Sequence, residues 1–138
     1  MNFLMMKNSE CHRSLTEEAA PEAVRYEIET LLQTQGDMEV LPFMEALDEL
    51  ADRQWHTYSL LPEPLKSRVE QLIILCWRDQ PEITDYALSI VSKLGLVEAW
   101  EFLLGLDRQV MSIASREAIE EAEAEMSSTI ADPYSGMR

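Results

Sequence analysis

The chain has 138 residues, of which 46% are hydrophobic, and its 26 acidic and 11 basic residues give a formal charge of −15. This length suffices for one domain with a hydrophobic core, and the apolar content excludes a wholly disordered chain. The negative charge disfavours direct binding to nucleic acid or to an anionic membrane, whose phosphates repel it, and favours a basic protein as partner.

The first 16 residues show no hydrophobic periodicity and are predicted to form a disordered or loosely docked leader. Their apolar run is too short for the core of a signal peptide. No stretch approaches the ~18 continuous apolar residues that a membrane span needs. We therefore expect a cytoplasmic protein.

The spacing of apolar residues predicts an all-α fold of about six helices, because apolar clusters recur every three or four positions and only four glycines are present. The first helix is expected over residues 17–35, with Thr16 as its cap and Gly36 at its end. The second is expected over residues 39–54, with Pro42 in its first turn. Their apolar stripes are Val24, Ile28, Leu31 and Leu32 in the first helix, and Leu41, Met44, Leu47, Leu50 and Ala51 in the second.

Four more helices are predicted after a connector over residues 55–63, which ends in a proline-rich turn that a continuous helix cannot cross. The third helix, residues 64–79, is the most apolar and is expected to be central. The fourth, residues 82–94, follows Pro81, and both it and the fifth, residues 96–104, end at a glycine. The sixth is expected over residues 107–126. Its predicted inward positions are Val110, Met111, Ile113 and Ala114.

Residues 17–126 are thus predicted to form a single helical domain, followed by a flexible tail over residues 127–138. The segments Ala46–Leu50 and Ala87–Val91 occupy similar places 41 positions apart, within the roughly 40–47 residues of HEAT and armadillo units. The segment Pro81–Gly95, with its proline, alanine-containing run and leucine-glycine stop, resembles the first helix of a HEAT repeat. Two architectures follow: an irregular bundle, or a short HEAT/armadillo-like stack of helical hairpins.

No pattern typical of catalysis or of metal binding is present. The chain lacks a Gly-rich phosphate loop and the motifs G-x-S-x-G, C-x-x-C and H-E-x-x-H. Its two histidines, His12 and His56, lie far apart in the sequence, and Cys11 and Cys76 are expected to be free thiols. We therefore expect no enzyme activity, no metal ion and no cofactor.

The densest acidic segment is the candidate binding surface. Residues 17–60 carry eleven acidic and two basic residues. Such a field accelerates association with a cationic partner, although a solvated outer helix face would have the same composition. Trp and Tyr side chains beside it would supply binding energy. The predicted contact residues are Glu39, Glu45, Asp48, Glu49, Asp52, Trp55 and Tyr58.

A second acidic run, Glu117–Glu125, is either another patch or a charged helix end that leads into the tail.

In size, charge and HEAT-like helical texture, residues 20–126 resemble the small acidic all-helical immunity proteins of bacterial polymorphic and contact-dependent toxin systems. That resemblance implies a basic cognate toxin, often a nuclease, which the protein would bind and neutralise. The chain itself is expected to be a monomer or a weak homodimer. The alternatives are a HEAT-like adaptor or regulatory subunit, a DNA-mimic inhibitor, and a helical enzyme with acidic Mg²⁺ ligands.

Overall fold

A computed structural model describes residues 20–57, 59–126, 130 and 133 of the chain. These residues form six α-helices and one short 3₁₀ helix, and none of them lies in a strand, so the all-α prediction is confirmed. Within the same residues, no helix is long and apolar enough to cross a membrane. The elements are α1 (Pro21–Gln33), the 3₁₀ helix (Gln35–Asp37), α2 (Val40–Trp55), α3 (Leu65–Cys76), α4 (Pro81–Leu94), α5 (Val97–Leu104) and α6 (Ile113–Met126).

Prolines define where α1 and α4 begin. Ala20 is extended, with φ −63° and ψ 143°, and α1 starts at Pro21 instead of at the predicted residue 17. A proline disfavours the helical conformation in the residue before it, while its own fixed φ suits a first helical position. The predicted leader over residues 1–16, which includes Thr16, Cys11 and His12, lies outside the described residues.

Two further predicted helix limits are wrong, and the segments beside them are joined by one contact. Helix α3 ends at Cys76, and α6 begins at Ile113, six residues after its predicted start. The Asp79 carboxylate accepts hydrogen bonds from the backbone N of Ser112 at 2.7 Å and from its hydroxyl at 2.8 Å. The Ser112 hydroxyl in turn accepts a bond from the backbone N of Ser115 at 3.3 Å, which caps α6.

Three of the four predicted inward positions of the sixth helix are wrong. Val110 is 80% exposed and Ile113 63% exposed. Ala114 is also exposed, whereas Met111 is half-buried and packs against the core, as predicted. The helix instead turns Ser115, Ile119 and Ala122 towards the core.

The Asp79 contact predicts a pH dependence of stability. The bonds from Ser112 hold the pKa of the Asp79 carboxyl below its ordinary value of 3.8. A carboxyl whose pKa is lower in the folded state stabilises the fold above its unfolded pKa, and this contribution disappears as the pH falls through the folded value. We expect Asp79→Asn to be less stable than the wild type at neutral pH, with the difference shrinking below pH 3.8. Urea unfolding of the two proteins at neutral pH and below pH 3.8 measures this difference in stability. An equal difference under the two conditions would contradict the prediction.

The helices pack in two rows that follow chain order. Helix α3 contacts α1 and α5 in one row, and α4 contacts α2 and α6 in the other. The contacts of α2 with α1, and of α5 with α4 and α6, join the rows. Helix α4, which packs against α2, α5 and α6, therefore has the central place that was expected for the third helix.

A buried carboxylate joins two helices of the first row. Glu70 of α3 is 3% exposed, and its Oε2 accepts a hydrogen bond from the backbone N of Ala99 at 3.0 Å. Ala99 lies in the first turn of α5, whose N-cap residue Leu96 has no side chain that caps the helix. Glu70 therefore supplies from another helix the acceptor that the start of α5 needs.

Two residues of the predicted tail are described, and both contact the domain. Ile130 is 8% exposed and belongs to the hydrophobic core. The Pro133 carbonyl accepts a hydrogen bond from the indole N of Trp55 at 3.0 Å. The packed domain therefore includes these two positions beyond residue 126, and the remaining residues of 127–138 lie outside the described part.

Candidate functional site

Two stripes of mostly polar residues run side by side on the surface of the second row. One of them includes Leu41, which was expected on the apolar stripe of the second helix but is 36% exposed. Each stripe has the 4-3-4 spacing of one helix face. The α2 stripe is Leu41, Glu45, Asp48 and Asp52, and the α4 stripe is Glu82, Tyr86, Ser89 and Lys93. Each α4 residue follows its α2 counterpart by 41 positions, so the two helices run parallel. We refer to these eight residues as the acidic ladder.

Three side chains of α4 contact carboxylates of α2 across the acidic ladder. The Tyr86 hydroxyl donates to Glu45 Oε2 at 3.2 Å. The Ser89 hydroxyl donates to Asp48 Oδ1 at 2.7 Å. The Lys93 ammonium lies 3.2 Å from Asp48 Oδ1 and 3.7 Å from Asp52 Oδ1. The carboxylates are thus held in position by donors from α4.

The two ends of the acidic ladder differ in charge balance. At its C-terminal end is a depression of about 360 Å³ lined by three acidic and two basic residues: Asp48, Glu49, Asp52, Arg53 and Lys93. At its N-terminal end, residues 40–48 and 81–88 contain no Lys or Arg, and Glu45, Glu82 and Asp85 are exposed. The protein therefore compensates its own carboxylates at one end of the ladder and leaves them accessible at the other.

Tyr86 is the aromatic residue of the uncompensated end. Its side chain is half-buried, and burial, followed by the Glu45 carboxylate, raises the pKa of its hydroxyl. The hydroxyl donates a hydrogen bond to Glu45. The sequence had suggested an aromatic centre with a rim of carboxylates, but it placed that centre at Trp55 and Tyr58.

Trp55, at the end of α2, contacts other residues of its own chain. It is half-buried at the end of α2, its indole N donates to Pro133, and its ring makes an edge contact with His56 at a centroid distance of 5.0 Å. The His56 Nδ1 lies 3.7 Å from Asp52 Oδ2. Tyr58 lies outside the described residues. Trp55 is thus engaged with its own chain, and its contact with a partner remains a prediction.

The predicted acidic residues fall into two groups. Glu45, Asp48 and Asp52 belong to the acidic ladder, as their spacing indicated. Glu49 is exposed on the neighbouring turn of α2, and it lines the depression. Glu39 is exposed at the N-cap position of α2, outside the ladder. Their role in binding a partner remains a prediction.

The second acidic run is partly compensated by the chain itself. Arg108, in the segment before α6, lies 3.1 Å from Glu123 Oε1 and 3.7 Å from Glu120 Oε2. Glu117 and Glu121 are exposed on the same helix. This run offers a matched surface against which the acidic ladder can be compared by mutation.

Among the residues that the structure describes, no group of three or more His, Cys, Asp or Glu side chains is placed to hold a metal ion. Cys76 is 2% exposed, and burial raises the pKa of its thiol, so the thiolate form is disfavoured. Comparison with family models, curated proteins and solved structures gives no match to this chain.

Proposed function

We propose that the chain is a binding protein that recognises a basic protein through the N-terminal end of the acidic ladder, and that it acts as an immunity-type inhibitor of a basic toxin domain. The observation that carries the proposal is the arrangement around Tyr86. There an aromatic side chain lies beside Glu45, on the same stripe as Glu82, and no Lys or Arg occurs in this half of either helix.

Two physical effects favour binding at this end. Uncompensated carboxylates attract a cationic surface and raise its association rate. Glu45 is also held by the Tyr86 hydroxyl, so less conformational freedom is lost when a partner docks. A carboxylate has about four lone-pair sites and retains acceptors for the lysines or arginines of a partner after one bond is made.

A pair of charge reversals tests the binding surface. The variant Glu45→Lys/Glu82→Lys removes the acidic end, and Glu117→Lys/Glu121→Lys makes the same change in net charge on α6. The partner is sought by crosslinking the wild-type protein in cells of its own source, and direct binding to the purified partner is then measured by calorimetry. We expect a basic partner whose affinity falls about ten-fold or more in the first variant, and much less in the second.

Two outcomes would contradict the proposed site. Equal losses in both variants would indicate attraction by net charge alone, and an unchanged affinity in the first would exclude the ladder. The inhibitory role is tested separately, by adding an equimolar amount of the protein to the partner. Undiminished partner activity in the complex would favour an adaptor or regulatory subunit, the second candidate, which the exposed Leu75 side chain of α3 also favours.

A further inference from the structure

We propose that the outer face of α3 is a second docking surface and that its occupant is an acidic amphipathic helix of a partner protein. This surface lies in the other row of helices and differs in chemistry from the acidic ladder. Its residues share one face of the helix and have helical spacing. They are Pro64, Ser67, Arg68, Gln71, Leu72 and Leu75, which we name the α3 face.

The α3 face is apolar at its centre. A depression of about 390 Å³ is lined by the first five of its residues. Leu75 lies one turn further along the same face and is 60% exposed, although it is flanked by the buried Ile73 and Cys76. The face extends roughly 16 Å along the helix axis at 1.5 Å per residue, the length of about three turns of a partner helix. Amphipathic helices bind through such a row of apolar contacts.

The positive charge of residues 64–78 favours a partner helix that carries carboxylates. Residues 64–78 contain three basic residues, Lys66, Arg68 and Arg78, and one acidic residue, Glu70. Glu70 is buried and bonded to α5, so the accessible charge of the segment is positive on a protein whose net charge is −15. An apolar face with accessible cations is complementary to an apolar helix that carries carboxylates.

Arg68 is available to pair with a carboxylate of a partner. It is exposed and forms no ion pair with the described residues. Glu63, which precedes the face, accepts bonds from the backbone N and hydroxyl of Ser67 at 3.1 Å and 2.7 Å, and its charge lies near Lys66. Asp79, which follows the face, is bonded to Ser112. A guanidinium at the edge of an apolar depression is suited to a bidentate contact with an incoming carboxylate.

Two designed peptides of about three helical turns test the proposal. The first has leucines on one face and glutamates elsewhere, and in the second every glutamate is replaced by lysine. Each is titrated into the isotope-labelled full chain, and amide shifts are followed by NMR. We expect the glutamate peptide to shift amides of residues 64–78. Arg68→Glu is expected to weaken binding of the glutamate peptide about ten-fold, and Leu75→Asp is expected to abolish that binding. Val110→Asp, at a site that is 80% exposed, is the matched control and is expected to leave binding unchanged.

Three results would overturn the proposal. The first is that the glutamate peptide shifts amides outside residues 64–78, and the second is that both peptides shift residues 64–78 equally. The third is a wild-type dimer in sedimentation that Leu75→Asp dissociates, since a second copy of the chain would then cover the face. The lysine peptide is expected to shift amides of α2 and α4 instead. Its behaviour reports on the acidic ladder, so the two proposals can fail independently.

Discussion

Replacing Glu70 with alanine is expected to lower the free energy of unfolding by about 3 kcal/mol. The side chain is 3% exposed, and its carboxylate accepts a bond from the backbone N of Ala99, which is itself fully buried. Alanine would leave that N–H without an acceptor and a cavity between α3 and α5. A loss of this size corresponds to a fall of roughly 10 °C in the melting temperature of a domain of this length.

Two further variants separate the buried bond from a general effect of charge. Glu70→Gln keeps the volume and one acceptor oxygen, so its loss is expected to be about 1 kcal/mol or less. Glu101→Ala removes an exposed carboxylate from α5 itself and is expected to change stability by less than about 0.5 kcal/mol. Denaturant unfolding followed by circular dichroism measures all three. A Glu70→Ala variant as stable as Glu101→Ala would show that the cap contributes nothing.

Ile130→Ala is expected to destabilise the protein by about 2 kcal/mol, near the lower limit for a buried isoleucine. The side chain is 8% exposed and belongs to the core, although it follows the last helix. A chain that ends at Met126 is expected to lose more than this, because it also removes the Pro133 carbonyl that accepts the bond from Trp55.

The matched control for Ile130 is Val110→Ala, since Val110 is apolar and 80% exposed. Its stability is expected to stay within about 0.5 kcal/mol of the wild type. Thermal and urea unfolding measure both variants. If Ile130→Ala and Val110→Ala are equally stable, the segment after α6 is not part of the cooperative fold.

Local signals in the sequence predicted most of the helices. The apolar stripe of α1 is buried at all four expected positions, because its spacing alone determines which face meets the core. Helix α4 ends at Gly95, whose φ of 67° is a conformation that favours glycine. The errors at α3 and α6 arise where Asp79 meets Ser112, a contact across 33 positions that no local pattern contains.

The candidate site was predicted in part. The spacing of Glu45, Asp48 and Asp52 indicated one face of α2, which the structure has, but that face was expected to point away from other helices. Its contact with α4 depends on the register between two helices. A signal was present, since Ala46 and Ala87 show the same offset of 41 positions that relates Glu45 to Tyr86.

The constant offset of 41 positions between paired residues of α2 and α4 disfavours structures in which one helix has slid along the other. Apolar side chains tolerate sliding of one helix along another, because any neighbouring aliphatic group serves nearly as well. The hydrogen-bonded pairs do not: a shift of one turn would set Glu45 opposite Glu82 in one direction, and in the other it would set the Tyr86 hydroxyl opposite the apolar Leu41. The polar contacts therefore lock the axial alignment of the two helices, and insertions or deletions should be tolerated only in the loops that join them.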